Sequence, residues 1–256
     1  MNRHPVTARA AAVALLAAGL AATPAAAAPA TGAKAGVGAD WATQSIVFTA
    51  AAGQVNDLHV FPMERGAGVR QIGFRDAVPL SPGDHCAYLD PADETFVVCE
   101  LPTGSARSDR IDVFLGDGDD EIVTSDPGVG TVRGGPGDDV LHAHTAHTVR
   151  GEAGNDMVMG RVVLDGGDGD DHLMGDDMDQ RLWGGRGDDR IEAYGGADIV
   201  YAGPGEDRAL GGDGRDTLLG GPGDDNLDGE DGDDLVVGGP GRDTVTGGPG
   251  HDVVLQ

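Results

Sequence analysis

The sequence predicts an all-β fold: a parallel β-roll of nonapeptide repeats preceded by a small N-terminal β cap. Three observations lead there. Residues 166–255 divide without insertion into ten consecutive nonapeptides. In these units the fourth position is Gly in nine, the sixth is Asp in nine, and the eighth is apolar in all ten; the unit 175–183 is the exception at the fourth and sixth positions. Ahead of the repeats, glycine thins out and short β-type runs alternate with turn residues. A fixed period of this kind marks an array of stacked units, each too small to bury a core alone.

Residues 1–28 read as a secretory signal peptide. Arg3 and Arg9 give a positive start, residues 10–22 form a short apolar run, and the small-residue tract 25–28 suits cleavage. The run falls short of the ~20 residues of a membrane span, so no membrane-spanning anchor is expected. The absence of a twin-arginine pair points to the general secretory route, and the chain is expected to be extracellular. Residues 29–40, with Thr31, Gly32, Lys34 and Gly36, read as a flexible linker.

Residues 41–114 form the cap. Runs of β-type residues at 45–49, 58–62, 69–74, 95–99 and 110–115 are separated by turn signals at Asp76, Pro79, Ser81-Pro82-Gly83 and Asp90-Pro91. A unit of this size suits the closing of one open end of a roll. The last run leads straight into the first loop, so cap and roll are expected to be continuous. Cys86 and Cys99 are the chain's two cysteines. An even count in an exported chain predicts one disulfide, contributing on the order of 3 kcal/mol. The alternative, a metal or redox pair, lacks close spacing and neighbouring histidines.

Residues 115–256 form the roll. The glycines of each unit permit the backbone of a six-residue turn. The last three residues form a short strand whose apolar middle member points inward. Two units then make one turn of about eighteen residues. About eight turns, stacked at ~4.8 Å, give a roll roughly 35–40 Å long. The loop carbonyls and the sixth-position carboxylate are hard oxygen ligands, suited to calcium rather than to zinc or copper. A merely solvated acidic face would not require Asp at one phase of the period with Gly two residues before it.

Complete loops occur at 116–120, 134–139, 151–156, 166–171, 184–189, 203–207, 220–225 and 238–243, two units apart, and therefore fall on one edge of the roll. Their candidate ligands are Asp120, Asp139, Asp156, Asp171, Asp189, Asp207, Asp225 and Asp243, with Gly118, Gly137, Gly154, Gly169, Gly187, Gly205, Gly223 and Gly241 two residues before. The intervening units form the other edge. Those at 125–133, 143–150, 160–165 and 175–183 have lost the motif, while the unit 193–201 keeps Gly196 and Asp198. Only from residue 211 is the second edge complete, with Asp216, Asp234 and Asp252 and the glycines Gly214 and Gly232. The apolar strand position persists throughout, at Val132, Val149, Leu164, Leu182 and Val200. Calcium is therefore expected along the whole first edge and only near the C-terminal end of the second, on the order of ten ions at sub-millimolar to millimolar affinity.

With this motif repeated so often, the chain resembles the hemolysin-type calcium-binding repeat family, the RTX repeats, over about half its length. The cap with two cysteines ahead of such repeats resembles secreted actinobacterial-type calcium-binding proteins. The resemblance implies calcium held in the loops of a parallel β-roll and a secreted protein.

The remaining composition narrows the function. The formal charge is −27; removing residues 1–28 leaves 15 basic and 44 acidic residues, −29. Nucleic acid and anionic membrane surfaces are thereby excluded as partners. Low hydrophobicity with high charge is the composition of chains that stay unfolded unaided, so calcium is expected to supply folding free energy. His142, His144 and His147 could hold zinc, yet their spacing matches no helix face and a solvated loop is expected; His172 and His251 read as surface residues. There is no zinc-protease helix and no nucleophile elbow. Trp41 and Trp183 are too sparse for a sugar-stacking platform, and the third and fifth loop positions lack the Thr and Asn rows of an ice-binding face. The sequence thus reads as a monomeric, non-enzymatic calcium-binding module, with a cell-wall or matrix partner as one possibility. The alternative is an extracellular enzyme whose site lies in 41–114, for which a cleft with perturbed carboxylates would be the sign.

Overall fold

The computed structural model describes residues 34–40, 42, 44–63, 69–102 and 110–256. The signal peptide, the first residues of the predicted linker and Trp41 lie outside the described residues. Among the described residues every regular element is a strand, and no helix is long and apolar enough to cross a membrane.

Two twelve-stranded sheets face one another. The cap supplies β1 (Ala35–Asp40), β2 (Ser45–Thr49), β3 (Asp57–Pro62), β4 (Val69–Arg75), β5 (Leu80–Pro82), β6 (Cys86–Tyr88) and β7 (Phe96–Pro102). β8 (Arg110–Phe114) and β9 (Glu121–Thr124) follow. One sheet begins β5-β1-β2-β8 and the other β6-β7-β4-β3-β9; each continues strand by strand to the C-terminal end. Pairing is antiparallel between β1 and β2, β3 and β4, β4 and β7, and β6 and β7. It is parallel from β2 to β8 and from β3 to β9, and in every repeat strand thereafter. From β8 on, the chain makes about eight turns, as the period predicts.

What holds the turns in register is one apolar side chain per strand. Val132, Val149, Leu164, Leu182, Val200, Leu218 and Val236 pair in sequence through one sheet. Ile122, Leu141, Val158, Leu173, Ile191, Ala209 and Leu227 do so through the other. All are 0% exposed. Because side chains alternate faces with period two, a slip of one residue would expose a whole row, so the ladder fixes the stacking. Each buried aliphatic contributes about 1.5–3 kcal/mol. The shortened turn at 160–165 keeps Leu164 in this row, so the chain loses loop residues there without losing its core.

The structure corrects the sequence reading in two places. Residues 35–40 are not linker: β1 pairs with β2 and buries Ala35, Val37 and Ala39. Gly36 and Gly38 between them made the stretch look flexible, but small residues let β5 and its turn close in, so that a Cβ on Gly83 would lie 3.2 Å from Gly38 Cα. The roll also begins before residue 115. β2 and β3 already form a parallel turn beneath β8 and β9, and the antiparallel cap strands extend both sheets from it. Ile46, Phe48, Leu58, Val60, Ile72 and Phe74 continue the apolar core into the cap. Cys86 and Cys99 are disulfide-bonded, joining β6 to β7 at directly paired positions.

Candidate metal sites along the two loop edges

The loops stack on each other by backbone contact that leaves no room for side chains. A Cβ on Gly135 (φ 124°) would run into the carbonyl oxygen of Gly116, and one on Gly137 (φ 144°) into that of Gly118. At three loops whose second position is not Gly the backbone keeps the left-handed form all the same, at Glu152 (φ 85°), Tyr194 (φ 72°) and Glu230 (φ 66°); Asp176 in the unit 175–183 does not. That conformation costs roughly 1–2 kcal/mol for a residue with a side chain. The stack imposes the loop shape on these residues.

The sixth-position carboxylates form two rows, one on each edge, as their phase in the sequence predicts. On the first edge the N–H of each Asp donates to Oδ1 of the Asp one turn later. The rungs run Asp120 to Asp139, Asp139 to Asp156 and Asp156 to Asp171 at 2.8 Å, Asp171 to Asp189 at 2.9 Å, Asp189 to Asp207 at 2.8 Å, Asp207 to Asp225 at 3.0 Å and Asp225 to Asp243 at 3.1 Å. On the second edge Asp198, Asp216, Asp234 and Asp252 are joined the same way, at 2.8, 2.8 and 3.1 Å. The rows thus contain seven and three intervals between successive Asp loops.

One oxygen per carboxylate is spent on these rungs, and the other is left over. Oδ2 of Asp120, Asp139, Asp156, Asp171, Asp189, Asp207 and Asp225, and of Asp198, Asp216 and Asp234, is buried without a hydrogen-bond partner. Where the loop begins with Gly, this oxygen sits over that glycine, facing the first carbonyl of the next loop. A Cβ on Gly166 would collide with Asp171 Oδ2 and lie 2.6 Å from Gly184 O; one on Gly220 would collide with Asp225 Oδ2 and lie 2.6 Å from Gly238 O. Two acceptors meet with no donor between them. An orphaned buried carboxylate oxygen costs several kcal/mol unless a cation answers it.

The titration of the rows reflects the same shortage of positive charge. Burial, reinforced by neighbouring carboxylates and opposed by the backbone N–H, pushes the Asp139 carboxyl up to about 8. Burial likewise raises Asp171, Asp189 and Asp198 to about 7, and Asp120, Asp156, Asp207 and Asp216 to about 6. Asp225 and Asp234 are also raised, again chiefly by burial.

Hard oxygen donors, charge and carbonyls arriving from two adjacent turns fit calcium. Among the described residues no three His, Cys, Asp or Glu side chains converge as a metal cluster; here the backbone supplies much of the oxygen. His142 and His144 have ring centroids 6.4 Å apart and join no such cluster. His172 is half-buried at 4.0 Å from Glu192, and burial lowers its pKa; His251 is exposed, as expected.

Three features of the edges escaped the sequence reading. The fifth loop position carries an outer row, running the opposite way. Asp119 Oδ1 accepts from Asp138 N–H at 3.0 Å, Asp138 Oδ1 from Asn155 N–H at 2.8 Å, and Asp170 Oδ1 from Asp188 N–H at 2.9 Å. Because the later residue gives only its N–H, Ala197, Arg242 and His251 serve as well, and the position looks variable.

Next, the first row is started by Asn56, which is 1% exposed. Its N–H donates to Asp120 Oδ1 at 2.6 Å, and its amide nitrogen to the same atom at 3.0 Å and to Leu115 O at 3.1 Å. Leu115 holds the first position of its loop, so a donor here faces the carbonyl that elsewhere faces Asp Oδ2. Finally, Asp126 on the first turn of the second edge is 0% exposed and paired with Arg70 of β4. That guanidinium supplies the edge with a cation from the cap.

A family model of the RTX calcium-binding nonapeptide repeat matches residues 124–145, 160–177, 174–209, 201–236, 210–245 and 229–255. Comparison with curated proteins gives no match. The stretch left out, 146–159, includes the complete loop 151–156, while the shortened unit 160–165 lies inside the match. With its Asp rows, stacked glycine loops and parallel repeat strands, the chain carries several copies of the RTX calcium-binding nonapeptide repeat across residues 124–255, stacked as a β-roll.

Proposed function

We propose that the protein is a secreted, non-enzymatic calcium-binding module whose roll folds as calcium enters its loops. The observation that carries this is the buried Oδ2 of each row, unpartnered and set against the first carbonyl of the next loop. Calcium in each interval would bind Oδ2 and loop carbonyls and neutralise the row. Seven intervals on the first edge and three on the second give ten ions. Without them the charge of the rows opposes stacking, and the binding free energy becomes folding free energy.

Secretion is supported by the signal-type N-terminus and by the disulfide, which persists in oxidising compartments. Support for a module rather than an enzyme comes from the cap. Its groove of about 440 Å³ is lined by residues including Met63, Gln71, His85, Tyr88 and Glu100. Among the described cap residues the one carboxyl raised by burial, Asp76, lies outside that lining.

The test is a metal count by equilibrium dialysis on the chain and on two variants. Asp171→Asn with Asp189→Asn alters the first edge, and Asp216→Asn with Asp234→Asn the second. About ten ions per chain are expected, with each variant losing ions from its own edge only. Equal occupancy along the full length of both edges would contradict the reading.

A further inference from the structure

Gln180 stands at the sixth position of the unit that lost both motif residues, yet it is 2% exposed and continues the row. Its N–H donates to Asp198 Oδ1 at 2.7 Å, the same rung the aspartates make. Its amide nitrogen is committed backward, donating to Arg161 O at 3.2 Å and Asp176 Oδ1 at 2.8 Å. That leaves Oε1 buried and without a partner. A Cβ on Gly175 would collide with Gln180 Oε1 and lie 2.6 Å from Ala193 O. This is the arrangement of Gly166 with Asp171 Oδ2 and Gly184 O, with an amide oxygen replacing the carboxylate.

Loop 175–180 lacks the left-handed backbone at Asp176 and Met178, but the next loop keeps its binding shape. Tyr194 holds the left-handed conformation (φ 72°) that Gly provides elsewhere, Gly196 follows at φ 120°, and Asp198 is 1% exposed with Oδ2 unpartnered.

We propose that the interval between loops 175–180 and 193–198 is a further calcium site, with Gln180 Oε1 as a neutral ligand. The second row of ions then starts one turn before its row of aspartates. Amide carbonyls belong to calcium's ligand set, and one charge fewer makes this the weakest interval of the row. The site rests on the calcium reading of the rows.

The full chain is compared as wild type, Gln180→Met and Gln180→Glu. Bound calcium is counted by dialysis, and hydrogen exchange of amides 193–199 is followed with and without calcium. Gln180→Met should hold one ion fewer and lose calcium-dependent protection at 193–199, while loops 211–216 and 229–234 keep theirs. Gln180→Glu should keep the ion and reach half-protection at roughly tenfold lower calcium.

Equal ion counts and equal protection in wild type and Gln180→Met would overturn the site. Should the Met variant fail to fold, an unchanged or weaker midpoint in Gln180→Glu would overturn it. A wild-type chain that binds no calcium on either edge would overturn the reading beneath it as well.

Discussion

Replacing Asp189 by Asn should stabilise the roll in chelator and destabilise it in calcium. Asp189 is 3% exposed, accepts from Asp171 N–H at 2.9 Å and has its pKa raised to about 7 by burial and its row neighbours. Against an ordinary aspartate pKa of 3.8, holding it ionised at pH 8 costs the ion-free fold up to about 4 kcal/mol, and Asn keeps the rung without that cost. In calcium the balance reverses. Asp189 Oδ2 faces the interval toward the next loop, beside Ala202 O, and a bound ion at a hundred times its Kd contributes about 2.7 kcal/mol. Weakening that site therefore costs up to about 3 kcal/mol. The assay is the residual β signal in chelator together with urea unfolding in saturating calcium, both at pH 8. Equal destabilisation in the two conditions would mean that Asp189 is a structural residue only. An unchanged stability in calcium would mean that it holds no ion.

The other predictions follow from the same geometry. Because the row carboxyls have raised pKa values, the folded ion-free chain binds protons more tightly than the unfolded chain, so its stability is present in acid and falls as pH rises from about 4 to about 8. Circular dichroism in chelator should show more β structure at pH 5 than at pH 8, while calcium affinity should rise over the same range as protons cease to compete. Asn56→Asp replaces the amide donor facing Leu115 O by an acceptor. It should lower the melting temperature in chelator, by an amount equivalent to about 1–3 kcal/mol, and calcium should restore it. Leu182→Ala in the core ladder should cost about 2–5 kcal/mol in calcium, read by urea unfolding, with no change in the ion count.

The two edges were legible in the sequence because most loops use Gly for a left-handed backbone and Asp for a buried charged oxygen, so their phase survives even where neighbouring units decay. The apolar ladder was legible for the same reason: Leu164 and Leu182 stay in place while the loops around them shorten. What escaped notice depends on partners distant in sequence or on groups every residue carries. β1 is strand only because β2 and β5 flank it, and its Gly36 and Gly38 read locally as flexibility. Asn56 sits in a loop with no repeat motif, 64 residues from the Asp120 that gives it meaning. The fifth-position row asks one turn for a carboxylate or amide oxygen and the next only for a backbone N–H, so half of each contact leaves no trace in residue type. Gln180 looked like loss of the motif, though its side-chain oxygen lies where the carboxylate would be.

The most direct test of a calcium-folded roll is far-UV circular dichroism of the chelated chain, titrated with calcium and, separately, with magnesium at pH 8. The account predicts weak β signal in chelator, a cooperative gain at sub-millimolar to millimolar calcium, and no equivalent gain with magnesium. A chain with full β signal in chelator and no response to calcium would show that the apolar ladder alone folds the roll, contradicting the role assigned to the Asp rows.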